Sequence, residues 1–259
     1  MSDVLRTERD GDVVTLTITR DHRMNALTST LVVELREAMV PAVQQGARAI
    51  VLTGEGRAFS SGADLQGDGK DGLSPDLSEE IEKSYNPLAR AIADLPVPFV
   101  VAVNGPAVGA GMGFALSGDV VIAERSAYFL LAFANIGLVP DAGATWMVAR
   151  SVGRARALEL ALLGEKIPAE DAKAMGMIAR VVDDGTSLAE AQALATRLAA
   201  GPSKALGMIR KQVAHALDHQ FTETLAEEAR NQREAGFSED FAEAVKAFRE
   251  KRKPAFKGR

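Results

Sequence analysis

"AIVLTGEGRAFSSGADL", residues 49 to 65, and "FVVAVNGPAVGAGMGFAL", residues 99 to 116, follow one plan. Each opens on an apolar run of strand length, turns through a polar residue and glycine, passes small residues and ends on an apolar stretch. Each would place small residues at or near a helix N-terminus, where backbone N–H groups lack intrahelical partners and the helix dipole is positive. Two such termini side by side could grip one oxygen from two sides, which is the geometry of an oxyanion hole. Chance similarity between two strand–turn–helix units would give the same strings with no shared site.

The surrounding sequence reads as a mixed α/β chain. "DVVTLTITR" (12–20) alternates β-branched and polar residues as a strand does, and "TSTLVVELREAMVPAVQQ" (28–45) has helical periodicity behind Thr and Ser caps. The polar, Gly-rich "QGDGKDGLSPD" (66–76) reads as a mobile loop, and a helix is expected from Leu77 to Asp94. "GMGFALSGD" reads as a helix and "VVIAERSAYFL" (120–130) as a strand. From Ala144 onward the chain is largely helical, interrupted by a turn at "GEKIPAEDAKAMG". Strands dominate the first half and helices the second, which fits an α/β core over residues 1–198 followed by a helical region over 199–259.

Composition removes several classes of function. The 259 residues include no Cys, which excludes thiolate nucleophiles, disulfides and Cys-based zinc sites. A net charge of −5 gives no field for a nucleic-acid face. No apolar run is long enough to span a membrane and the start has no signal-peptide pattern, so a cytoplasmic protein is expected. His215 and His219 have helical i, i+4 spacing but lack the companions of a zinc site, and read as a solvated helix face.

Other motifs fall on their spacing. "GAGMG" (109–113) is G-x-G-x-G and begins too far from its strand for a dinucleotide fingerprint. The loop from Asp64 has Gln66 and Pro75 where a calcium loop needs ligands. No G-x-S-x-G elbow occurs. Tyr85 and Asn86 could face a ligand or be ordinary helix residues, and the basic end "KAFREKRKPAFKGR" could meet phosphates, a neighbouring subunit or only solvent.

Asp141 stands apart. It lies in "FANIGLVPDAGATW" (133–146) among apolar and small residues, the nearest charges being Arg125 and Arg150. It could cap the helix that follows Pro140, or it could be a desolvated carboxylate with a raised pKa and a chemical role.

Taken together, "RMNAL", "RAFSSGADL", "AVNGPAVGAGMGFAL", "SAYFLLAFANIGLVPDAG" and "AEDAKAMGMIARVVD" resemble, in order and over nearly the whole chain, the crotonase superfamily of enoyl-CoA hydratases and isomerases. The resemblance implies a spiral of ββα units followed by a C-terminal helical trimerisation region, assembling as a homotrimer or as a hexamer built from two trimers. It implies an acyl-CoA thioester as substrate, with CoA as part of that substrate, no separate cofactor, and no nucleic acid or membrane partner. The two oxyanion donors would be the N–H groups of Ala63 and Ala110. The CoA moiety would be held by the backbone of Gly62, Ala63, Asp64, Leu65 and Gln66, by Ala26 and by basic residues, the tail lysines among them. The two catalytic glutamates of the family's hydratases fall on Gly113 and Phe133, neither of which can move a proton. Asp141 falls where certain isomerases of the family carry a catalytic aspartate. The strings are most similar to the branch that rearranges ring epoxides of arylacetyl-CoA and shifts double bonds in enoyl-CoA. The expected activity is therefore isomerisation through an enolate, with Phe133, Ile136, Leu138 and Val139 desolvating Asp141. A hydratase using Asp141 and a water, or a silent acyl-CoA binding subunit, are the alternatives.

Overall fold

The structure, a computed structural model, describes residues 3–66 and 76–259. The expected mobile loop therefore lies, apart from Gln66 and Asp76, outside the described residues. Strands β1 (Leu5–Asp10) and β2 (Val13–Ile18) form an antiparallel hairpin. Helix α1 (Ser29–Gln44) follows, its first turn capped by the Thr28 side chain, which accepts from Leu31 N–H. Strand β3 (Ala49–Gly54) then pairs parallel to β2. The chain returns through α2 (Ser78–Glu80), a π-helical turn (Ile81–Tyr85) and α3 (Asn86–Asp94) to β4 (Phe99–Val103), parallel to β3. The expected single helix from Leu77 to Asp94 is thus continuous in path but wound wider at its centre.

Next come β5 (Ala107–Val108), α4 (Ala110–Leu116), β6 (Val120–Glu124) and β7 (Tyr128–Leu130). The one strand read over 120–130 is therefore two, and they belong to different sheets. Helix α5 (Ala144–Leu163) is broken at Gly153, where φ 74 and ψ 165 leave the helical region. Then follow β8 (Ile167–Pro168), α6 (Ala169–Ala174), β9 (Arg180–Val182) and α7 (Ser187–Ala199), with α8 (Ser203–Asp218), α9 (Phe221–Gly236) and α10 (Glu239–Arg249) closing the chain.

The main sheet has the order β1-β2-β3-β4-β6-β9, and every pair after the first is parallel. A parallel sheet needs cover on both faces, and period-two side chains deliver it here. Ile50, Leu52, Phe99, Val101 and Val103 face the large core with α1 and α3, while Ala49, Val51, Val100 and Ala102 face α7 through Ala191, Leu194 and Ala195. The small sheet, β5-β7-β8, stands beside the carboxyl end of β4.

Two arginines tie the helical end to this core. Arg210 on α8 donates to Asp119 at 2.9 Å and to the carbonyls of Ile92, Ala93 and Leu95. Arg48 donates to Ser203 Oγ and to the carbonyls of Gly201 and Phe256. The basic end folds back as well: buried Asp240 accepts the N–H groups of Lys257 and Gly258 at 2.6 and 2.8 Å. The rings of His215 and His219 stack at 3.7 Å on a largely exposed helix end, His219 exposed and His215 half-buried, and no group of three metal-ligating side chains occurs among the described residues.

Candidate active site

The echo between the two glycine-rich segments is a structural pairing. Ser60 N–H donates to Pro106 O at 3.0 Å, and Val108 N–H donates to Ser60 O at 2.9 Å, so Ser60 and Ala107 form a parallel bridge. Ala63 and Ala110 each stand three residues beyond a member of that bridge. The segments then touch at their glycines: a Cβ placed on Gly62 (φ 90) would lie 2.8 Å from Val108 O and 3.6 Å from Gly109 Cα. Glycine is needed on both counts, conformation and closeness.

Both proposed donors are oriented away from other partners. Leu27 N–H donates to Gly62 O and Asp64 N–H donates to Leu27 O, which turns the intervening Ala63 N–H outward. Ala110 is the first residue of α4, and its N–H has no intrahelical acceptor. Among the described residues neither group donates a hydrogen bond.

The turn 54–60 that leads to the first donor is held by two side-chain amides, the buried Asn25 and the half-buried Asn104. Asn25, at φ 54, donates through Nδ2 to Glu55 O and Ala58 O, and Asn104 Nδ2 donates to Gly56 O. "RMNAL" and "NGP" contain these residues, but nothing in the strings says that two asparagines far apart in sequence meet on one turn.

A cavity of about 190 Å³ opens beside the paired loops. One strip of its wall comes from Gly62, Ala63, Asp64, Leu65 and the 77–85 segment, and the other from Val108, Gly109, Ala110, Phe133, Ile136, Leu138 and Asp141. Asp141 Oδ1 is buried and has no hydrogen-bond partner. Burial raises the Asp141 carboxyl to about 6, against a smaller opposing effect from its own backbone N–H. The cap reading of Asp141 is corrected: α5 begins behind Gly143, no side chain caps it, and only the Asp141 carbonyl is engaged, by Ala144 N–H at 2.8 Å. Val139 is also corrected, since it is 80% exposed and contributes nothing to the pocket wall.

What fixes Asp141 is its neighbour. Ala142 adopts φ 48, an uncommon conformation for a residue with a Cβ. It is held there against Gly113, whose own Cβ, were it present, would lie 2.8 Å from Ala142 O. The backbone beyond Asp141 thus fills the space that a side chain at position 113 would need. Phe133 is buried at the other position, its ring close to Gly109.

The remaining sequence candidates separate. Asp64 lines the cavity, but its carboxylate is bound by Arg20 at 3.0 Å and by Gln66 N–H. Burial pushes that carboxyl up, and the Arg20 bond, the Gln66 N–H and the charges of Arg20 and Arg23 together hold it below its usual range. Ala26 and Gln66 lie outside the cavity wall, and the Ala26 N–H and C=O are engaged by Arg23 and Arg20. Tyr85 is part of the wall and donates to Leu27 O at 3.1 Å, whereas Asn86 donates outward to Glu82.

A pocket of this kind, with two converging backbone donors and one desolvated carboxylate, suits chemistry in which negative charge develops on a carbonyl oxygen. Known proteins point the same way. The model of the enoyl-CoA hydratase/isomerase family matches residues 8–259. The chain is 43% identical to the 1,2-epoxyphenylacetyl-CoA isomerase of Escherichia coli over 100% of both sequences. It is 46% identical to a probable enoyl-CoA hydratase of Rhodobacter capsulatus over 98% of both. Its fold superimposes on an enoyl-CoA hydratase subunit I of Geobacillus kaustophilus with TM-score 0.92 at 34% identity, covering 100% of both chains. The chain belongs to the enoyl-CoA hydratase/isomerase family, has the crotonase-type fold, and is an enzyme acting on acyl-CoA.

Proposed function

We propose that this enzyme is an acyl-CoA isomerase working through an enolate, either a 2-(1,2-epoxy-1,2-dihydrophenyl)acetyl-CoA isomerase or an enoyl-CoA double-bond isomerase. The observation that carries the reading is the buried, unbonded Asp141 Oδ1 in the pocket; the resemblance adds that Gly113 and Phe133 stand where the family's hydratases carry glutamates. The thioester oxygen lies between the N–H groups of Ala63 and Ala110. Asp141 takes a proton from the acyl carbon next to the carbonyl, and the electron pair moves onto the thioester oxygen as the enolate forms. The pair then returns through the conjugated chain, and Asp141 gives its proton to a carbon further along. A pKa near 6 makes it a stronger base than an exposed aspartate and still ionised at neutral pH. One carboxylate serving both transfers suits isomerisation, which adds no water and consumes no cofactor.

CoA is held in this reading by the backbone of residues 62–66 and by Ala26. The enzyme assembles as a homotrimer or a pair of trimers, for which the exposed Phe221, Phe237 and Phe248 supply apolar surface. A sedimentation mass of three or six copies is expected, and a monomer would contradict the assembly.

Incubation with 3-hexenoyl-CoA, with double-bond position followed by NMR, tests the activity, and conversion to the 2-enoyl thioester is expected. The similarity to a probable hydratase favours a second reading, in which Asp141 directs a water onto the double bond. Rapid loss of conjugated thioester absorbance with crotonyl-CoA, without isomerisation of the 3-enoyl ester, would establish that reading instead.

A further inference from the structure

The pocket holds a second carboxylate that the reaction above does not use. Along the strip from Leu77 to Tyr85 the acidic residues divide. Glu79 pairs with Lys83, and Glu82 pairs with Arg90 and accepts from Asn86, all at exposed positions. Glu80, between them, faces the cavity with Leu77, Ile81 and Tyr85. Its Oε1 accepts from the Ser29 hydroxyl, and among the described residues it has no cationic partner. The π-helical turn at Ile81–Tyr85 begins directly after it, and such wide turns are often found at functional sites. Ser29 stands two residues beyond Leu27, whose backbone is paired with the Ala63 segment. Glu80 therefore belongs to the Ala63 strip of the wall, and Asp141 to the Ala110 strip.

Apart from Asp141, the other polar side chains named in the wall are engaged. Asp64 is held by Arg20, the Asn135 amide by Gly164 O, and the Tyr85 hydroxyl by Leu27 O. Glu80 thus joins Asp141 as a carboxylate on a wall that is mostly apolar, with Oε1 held by Ser29.

We propose that Glu80 sets the acyl specificity of this pocket, admitting acyl groups that are neutral or carry a hydroxyl or amide donor and rejecting those that carry a second carboxylate. A hydrogen-bond donor on the acyl group can satisfy the Glu80 carboxylate, whereas a second carboxylate brought into the same pocket meets like charge. This inference rests on the acyl-CoA reading of the pocket, and its test requires no turnover.

Three saturated six-carbon thioesters, hexanoyl-CoA, 6-hydroxyhexanoyl-CoA and adipyl-CoA, are titrated calorimetrically into the full-length wild type, Glu80→Gln and Glu80→Asp. The wild type is expected to bind adipyl-CoA at least about ten-fold more weakly than hexanoyl-CoA. Glu80→Gln keeps the shape and the Ser29 acceptor, and should remove most of that difference while hexanoyl-CoA binding holds. Glu80→Asp should retain the discrimination. An unchanged adipyl-to-hexanoyl ratio in Glu80→Gln, or equal loss of all three ligands, would overturn the inference and leave the isomerase reading standing. Failure of the wild type to bind any of the three would overturn the acyl-CoA reading of the pocket, and this inference with it.

Discussion

Asp141 has a raised pKa for one physical reason: it is largely buried in a pocket it shares with Phe133, Ile136 and Leu138, with an oxygen that no group among the described residues satisfies. Two consequences follow from the same displacement and have opposite signs. For catalysis the ionised form is the base, so kcat/KM should rise with pH through about 6 and level off above it, as read from a pH profile of isomerisation. For stability, a folded pKa above the unfolded 3.8 means that the native state holds the proton more tightly. The favourable contribution is full below 3.8 and is lost as pH rises through about 6. Asp141→Asn should therefore be more stable than wild type at neutral pH, by about 1 to 2 kcal/mol once partial solvent access is discounted. That advantage should shrink toward zero as the pH approaches 3.8, and parallel urea titrations at several pH values would read it. Gain of stability with loss of activity is the expected mark of a functional rather than a structural carboxylate.

At the scale of elements, the site is made by backbone contacts in which glycine is an active choice. The Gly113–Ala142 contact decides what chemistry the pocket can host, because the bend that presents Asp141 occupies the volume a catalytic side chain at 113 would fill. Gly113→Glu should consequently fail to create a hydratase. It should cost about 1 to 3 kcal/mol of stability by overpacking, lower isomerisation by displacing Ala142, and leave crotonyl-CoA unhydrated. A hydration rate that rises in the variant would show the bend to be more yielding than this packing implies. Much of this was legible in sequence. Repetition of strand, turn and small residues marked the two loops that pair beside the cavity, and the isolation of Asp141 marked the carboxylate. The two short strands β5 and β8 and the positive φ of Ala142 were not, because each depends on a partner distant in sequence, and the π-helical turn and the break at Gly153 interrupt segments whose periodicity reads as continuous helix. Glu80 escaped notice for the same reason: three glutamates lie close together in "SEEIEKSY", and only the winding of the helix turns one of them into the cavity.

For the molecule as a whole, the helical end is held on the sheet by a few charged groups reaching into backbone. Arg210 satisfies three carbonyls at the end of α3 and just beyond it as well as Asp119, whose other task is to accept Phe99 N–H at 2.7 Å at the start of β4. Arg210→Met keeps the apolar stem but strips those acceptors and leaves Asp119 without its cation. A loss of about 2 to 4 kcal/mol in urea unfolding is expected, with the isomerisation rate of the folded fraction unchanged, because Asp119, Ile92, Ala93 and Leu95, to which Arg210 donates, are not residues of the pocket wall. Loss of activity in step with binding, at full stability, would mean that the helical end shapes the pocket more directly than these bonds show. No helix among the described residues is long and apolar enough to cross a membrane.

The central claim is that Asp141 moves a proton at the carbon beside a thioester carbonyl held by Ala63 and Ala110. The most direct measurement is deuterium uptake into phenylacetyl-CoA in D2O, followed by NMR beside Asp141→Asn. Exchange by the wild type, reduced about 10²- to 10⁴-fold in the variant while thioester binding persists, is the expected result. Exchange that survives the substitution, or tight binding with no exchange in either protein, would contradict it.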